Sequence, residues 1–102
     1  MNMMKMLKQA QELQGKAQKL QADLAAREYS AESGGGAVKV VANGEGHLLS
    51  LKISPEIAKS GDAEMLEDLI VTAVREAVDK GKKEAQSEMG KLTSGLGLPG
   101  LM

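Results

Sequence analysis

One histidine, His47, and no cysteine stand among the 102 residues of this chain. Neither a zinc ligand set nor a Cys–His nucleophile pair can be assembled from that inventory within one chain. His47 follows a turn signal and reads as a surface or sheet residue. Gly95-Leu96-Gly97-Leu98-Pro99-Gly100 spells G-x-G-x-x-G, but it has no strand before it and no helix to open, so the match is accidental. Gly34-Gly35-Gly36 lacks the Gly-Lys-Ser/Thr of a phosphate loop and reads as a turn. Glu64, Glu67 and Asp68 could attract a divalent ion, yet acids in the first turn of a helix are ordinarily solvated and complement its dipole. The expectation is a protein that is not an enzyme and has no catalytic residue, metal, cofactor or small-molecule substrate.

What remains is charge, and it is unevenly spread. The net charge is only −1, so no bulk basic character advertises a polyanion partner. Residues 1–27 nevertheless carry five basic and two acidic side chains, residues 62–79 one basic and six acidic, and residues 80–102 four basic and two acidic. Acids at a helix start and lysines at its end follow the macrodipole, which explains the second half of the chain. The same rule fails for Lys5 and Lys8, cations at the N-terminal end of a helix, so something else must favour them.

The elements that would position these side chains are legible from hydrophobic spacing. Met3, Met6, Ala10, Leu13, Ala17, Leu20 and Leu24 form an unbroken heptad seam. At ~100° per residue, the rest of that helix divides into a flank with Lys5, Lys8, Glu12, Lys16, Lys19 and Asp23 and a flank with Gln11, Gln14, Gln18 and Gln21. Gly15 interrupts the pattern, either for a close helix approach or to no effect. Glu28 to Ser33 reads as a strand. Asn43-Gly44 between alternating runs predicts a hairpin with a two-residue type I′ turn, pairing Val40 with His47 and Val38 with Leu49. That register puts Val38, Val40, Leu49, Leu51 and Ile53 on one face. Ser54-Pro55 ends the strand, and Asp62 caps a second helix expected to reach about Met89.

The expected fold is therefore α+β: a helix, a three-stranded antiparallel meander and a helix, in one domain. Its parts are a helical arm over 1–27, the sheet over 28–54, a helical arm over 62–89 and a Gly/Leu/Pro tail over 90–102. The hydrophobic fraction of 42% is ordinary, but one Tyr and no Phe or Trp make a thin core, which points to an obligate oligomer. Helices of ~25 residues, ~37 Å long, outreach strands of ~20–30 Å, so both helices must project. Antiparallel helices would bring Lys5 and Lys8 to one distal tip with Lys80, Lys82, Lys83 and Lys91. Duplex nucleic acid, with one phosphate charge per ~1.7 Å of axis, is the polyanion such a tip would suit. The Gln flank could add hydrogen bonds to phosphate or sugar, or equally serve a polar oligomer interface. No apolar run reaches ~18–20 residues and the N-terminus lacks a signal-peptide core, so the expected location is the cytoplasm.

Lys8-Gln9-Ala10-Gln11, Val38-Lys39-Val40 with Asn43-Gly44, Ile53-Ser54-Pro55, Glu64-Met65-Leu66-Glu67-Asp68-Leu69 and Gly95-Leu96-Gly97-Leu98-Pro99 together, in this order, resemble the YbaB/EbfC family over nearly the whole chain. The resemblance implies a bacterial nucleoid-associated protein: a homodimer with intertwined sheets as base and paired helices projecting as tweezer-like arms around duplex DNA, influencing nucleoid organisation and gene expression. It implies no catalytic residues. Because DNA contacts in the family are assigned to the projecting helices, Lys5, Lys8, Lys16, Lys19, Lys82 and Lys83 are the matching DNA-binding candidates. The Met-rich opening, Met1 to Met6, departs from the Gly/Phe-containing leader of relatives. Without aromatic stacking and with only Arg27 and Arg75 as guanidinium donors, contacts to the DNA backbone are expected to dominate.

Two rival readings have their own signatures. A prefoldin-like chaperone, or another protein-interaction module, also joins two helices through β-hairpins but needs longer coiled coils. An amphipathic membrane-surface protein would set Met3, Met4, Met6 and Leu7 against lipid; the strict seam and the lack of interfacial Trp or Phe disfavour a membrane partner.

Overall fold

The computed structural model describes residues 2–95. Asn2 starts the first helix, α1 (Met3–Ala26), its side-chain oxygen accepting from the Met4 and Lys5 amides. Three antiparallel strands follow, β1 (Glu28–Ser33), β2 (Val38–Asn43) and β3 (Leu48–Ile53), in the order β1-β2-β3. A short helix, α2 (Pro55–Lys59), leads to the long α3 (Ala63–Gly95). The fold is α+β, as the hydrophobic spacing predicts, and elongated, 70 × 22 × 16 Å.

The β1–β2 connection is the triglycine turn, Gly34 to Gly36, and the β2–β3 hairpin departs from expectation. Its loop is longer than two residues. The Asn43 carbonyl accepts from the Gly46 amide at 2.9 Å, and the His47 carbonyl accepts from the Asn43 amide at 2.9 Å. Gly46, with φ +86°, occupies the left-handed position, as in a three-residue loop closing on a G1-type bulge. Gly44 is needed for a different reason. A Cβ there would lie 1.9 Å from the Leu24 carbonyl oxygen, so it is the point where the hairpin touches the end of α1. The longer loop and a bulge near Val41 and Ala42 move the register, so that Val40 faces Leu51 and Val38 faces Ile53. Since the displacement is even, both pairs keep the expected face.

The core lies between that face and the middle of α3. Ala73 and Ala77 pack on Ala31, Val38, Val40 and Ala42, with Leu66, Leu69, Ile70, Val74 and Val78 around them. Small alanines bring the helix close to the sheet, and Ser33 Oγ donates to the Leu69 carbonyl at 2.6 Å. The core is thin, since the largest fully buried side chains are two valines. Helix α3 lies across β1 and β2, leaving Leu48, Leu49 and Leu51 of β3 exposed.

Helix boundaries sharpen the sequence reading in two places. Ser54 does not merely end a strand: its hydroxyl accepts from the Ile57 amide and, with Pro55 in the first turn, starts α2. Asp62 caps α3 through the Met65 amide at 3.0 Å, but α3 continues past Met89 to Gly95. The predicted tail over 90–102 is thus helical to Gly95, and its remainder, with most of the G-x-G-x-x-G match, lies outside the described residues.

Candidate nucleic-acid interface

Where α1 meets the base, four side chains hold it. Arg27 Nη1 donates to Glu84 Oε1 at 3.1 Å and Nη2 to Asp23 Oδ2 at 3.4 Å. The Tyr29 hydroxyl donates to the other Glu84 oxygen, and its ring lies against Gly81, where a Cβ would come within 3.2 Å of it. Burial works against the Arg27 guanidinium, but Glu84 and Asp23 outweigh it and hold its pKa above the ordinary value. Burial, then the hydrogen bond to Glu84, pushes the Tyr29 phenol above its usual range. Beside this junction Lys80 Nζ donates to the Ser30 carbonyl at 2.7 Å, on the β1 side. The Arg27–Asp23 pairing at i,i+4 is visible in the sequence; Glu84 and Ser30 become partners only when the chain folds back.

Distal to the junction α1 and α3 run antiparallel. Leu24 is buried and Leu20, Ala17 and Leu13 are half-buried along the seam, against the half-buried Ala85, Met89 and Leu92 of α3. Gly15 has open space where a Cβ would stand, with nothing within 4 Å, so it serves no close approach among the described residues. From Arg27 the helix rises on the order of 30 Å to Lys5, whereas α3 rises only about 17 Å from Glu84 to Gly95. The first turns of α1 therefore stand beyond the described end of α3.

This geometry corrects the expected common tip. Lys5 and Lys8 are at the free end of α1, but Lys80, Lys82 and Lys83 are at the level of the junction, roughly 30 Å away, and Lys80 is engaged with Ser30. Lys91 pairs with Glu88 at 3.6 Å. Lys82 and Lys83 are exposed, and Lys83 shares a surface groove with Glu76 and Asp79. The structure does bring Lys5, Lys8, Lys16 and Lys19 together, in the sense that all four are exposed on one flank of one helix. Among the described residues none of these four is in an ion pair, and Asp23, one of the two acids on their flank, is taken by Arg27. The sequence reading missed Lys39 and Lys52, directly opposite each other on the outer sheet face with Glu32 across from Lys39 on β1. Strand periodicity held that signal.

Among the described residues no group of three or more His, Cys, Asp or Glu is placed to hold a metal, and no helix is long and apolar enough to cross a membrane. Comparison with known proteins yields a match of residues 1–96 to the model of the YbaB/EbfC DNA-binding family. The chain is 45% identical over 101 residues to a nucleoid-associated protein of Clostridium novyi, covering 99% of this chain and 89% of the relative. It is 47% identical over 100 residues to one of Pelotomaculum thermopropionicum, covering 98% and 95%. Among solved structures, the uncharacterized protein HP0035 from Helicobacter pylori superposes with a TM-score of 0.78 at 18% identity, covering 90% of this chain and 97% of that one; that likeness speaks for the fold alone.

Proposed function

From the premise that this chain belongs to the YbaB/EbfC DNA-binding family, we propose that it binds duplex DNA as a homodimer, through the lysine flank of α1 and mainly through the phosphate backbone, and thereby influences nucleoid organisation and gene expression. The observation that carries this reading is the flank itself: Lys5, Lys8, Lys16 and Lys19 exposed on one side of a projecting helix and, among the described residues, without carboxylate partners. Lysine on a rigid rod supplies point charges along a phosphate track and little base information. Lys82 and Lys83, nearer the sheet, are secondary contacts, and Lys83 shares its groove with Glu76 and Asp79.

The homodimer is formed through β3. Its edge has no strand beside it among the described residues, and Leu48, Leu49 and Leu51 are exposed there, whereas on the β1 side Lys80 already occupies the Ser30 carbonyl. An open apolar edge invites strand pairing, and a second copy there would complete the thin core and present two arms to one duplex. Fluorescence anisotropy with a short labelled duplex at several salt concentrations tests the reading. Affinity should fall steeply with salt, by roughly 0.9 log units per log unit of salt for each phosphate neutralised; a flat response would sink it. Suppression of client aggregation without duplex binding would favour the chaperone reading instead.

A further inference from the structure

The free end of α1 has a second face that DNA binding leaves unused. Met3 and Met4 are each 81% exposed, Met6 54% and Leu7 61%. Met3, Met6 and Ala10 continue the seam that packs against α3 lower down. Met4 and Leu7 do not: they hold the heptad positions filled further along by Gln11 and Gln18, and by Gln14 and Gln21. The apolar arc therefore widens from the two seam positions to four contiguous positions of the heptad, in the very turns that stand beyond the described end of α3. Lys5 lies on the opposite arc, and Lys8 borders the apolar one, in a surface groove with Met4 and Leu7.

We propose that this arc is a self-association surface, on which the α1 tip of one DNA-bound dimer packs against the tip of a neighbouring dimer. Several observations select a second copy. The arc continues an interface that α1 already makes with a helix of this same sequence. Its four positions carry no charge, so two copies can meet face to face with only Lys8 at the rim, and Lys5 then points outward, free for phosphate. Turning the arc to a duplex would carry Lys5 away from the phosphates, and a bilayer would find Lys5 at the centre of the polar side, with no Trp or Phe to anchor in the interface. Four side chains per copy make a small patch, in the range of weak contacts below ~1,200 Å². Copies held on one duplex gain an effective concentration of roughly mM, so the contact would act mainly on DNA and make binding along it cooperative.

The test compares the full chain with its Met4→Gln/Leu7→Gln variant, both substitutions lying outside the seam and fully compatible with a helix. On a duplex long enough for several dimers the unaltered chain should bind cooperatively and the variant without cooperativity, while affinity for a duplex that holds one dimer stays within about twofold, the change expected when no phosphate contact is lost. Because the chain has no cysteine, Leu7→Cys treated with a mild thiol oxidant should join whole dimers into species larger than a dimer on that duplex, read on a native gel because one cysteine per chain links only two chains, and Gln9→Cys, outside the arc, should not. Equal cooperativity in chain and variant, or equal linkage from both cysteines, would overturn the proposal. So would flotation with anionic phosphatidylserine vesicles that the variant loses. Loss of short-duplex binding by the unaltered chain would instead overturn the DNA-binding reading.

Discussion

At the sheet, alanines of α3 close on valines of β2 with no solvent between them, whereas at the far end of α1 methionines and lysines of the same chain stand in water. The two regions differ in what their residue types can be asked to do. Ala73, Ala77, Val38 and Val40 define one close approach and tolerate little. Lys5, Lys8, Lys16 and Lys19 define none among the described residues, and the proposed function gives their identities a role. On the proposed function the contrast assigns stability and binding to different segments, joined at the contact of Gly44 with Leu24 and at the Arg27, Tyr29 and Glu84 cluster.

That separation can be broken by substitution. Val40→Asp would bury an unpaired carboxylate at a cost on the order of 4 kcal/mol or more, a large part of the stability of a small domain, and circular dichroism should show it unfolded or melting far below the parent. Lys8→Gln, by contrast, should stay within about 0.5 kcal/mol of the parent. A smaller loss is expected at the joint: Gly44→Ala sets a methyl against the Leu24 carbonyl and should cost about 1–3 kcal/mol through backbone displacement, read as a lower urea midpoint. If it costs nothing, α1 is not held there.

The smallest effect concerns pH. The Tyr29 phenol has a raised pKa in the folded chain, from burial and then from its hydrogen bond to Glu84. A raised folded-state value means that the contribution is complete below the unfolded value near ~10 and fades as pH climbs through the folded one. Thermal melts of the parent should therefore lose stability at alkaline pH more than those of Tyr29→Phe, and the two should run parallel below about pH 9, where the phenol is protonated in both states. Parallel curves throughout would remove Tyr29 from the joint.

Much of the architecture can be read before folding because its determinants are local. The heptad from Met3 to Leu24 specifies a helix, Asp62 its successor's start, and Asn43-Gly44 a turn. The turn's length cannot be read from that dipeptide, since Gly46 offers a competing left-handed site and Gly44 is needed against Leu24, a contact between segments distant in sequence. Helix α2 is hidden because Ser-Pro marks both the end of a strand and the first turn of a helix. The candidate site is legible on α1, where one helix sets the spacing of all four lysines. The expected gathering of Lys80, Lys82 and Lys83 with Lys5 fails because it depends on where α3 crosses the sheet, and the Arg27–Glu84 contact places that crossing far from the free end of α1.

The proposed role of the α1 flank is tested most directly by the salt dependence of duplex binding in two variants, Lys5→Gln/Lys8→Gln/Lys16→Gln/Lys19→Gln and Lys82→Gln/Lys83→Gln. Because each dimer presents two arms, the first removes twice its four lysines and should lower the log–log slope by roughly 7, and the second should lower it by no more than ~3.6, both with parental melting curves. An unchanged slope in the four-lysine variant would contradict the claim that this flank of α1 meets the phosphates.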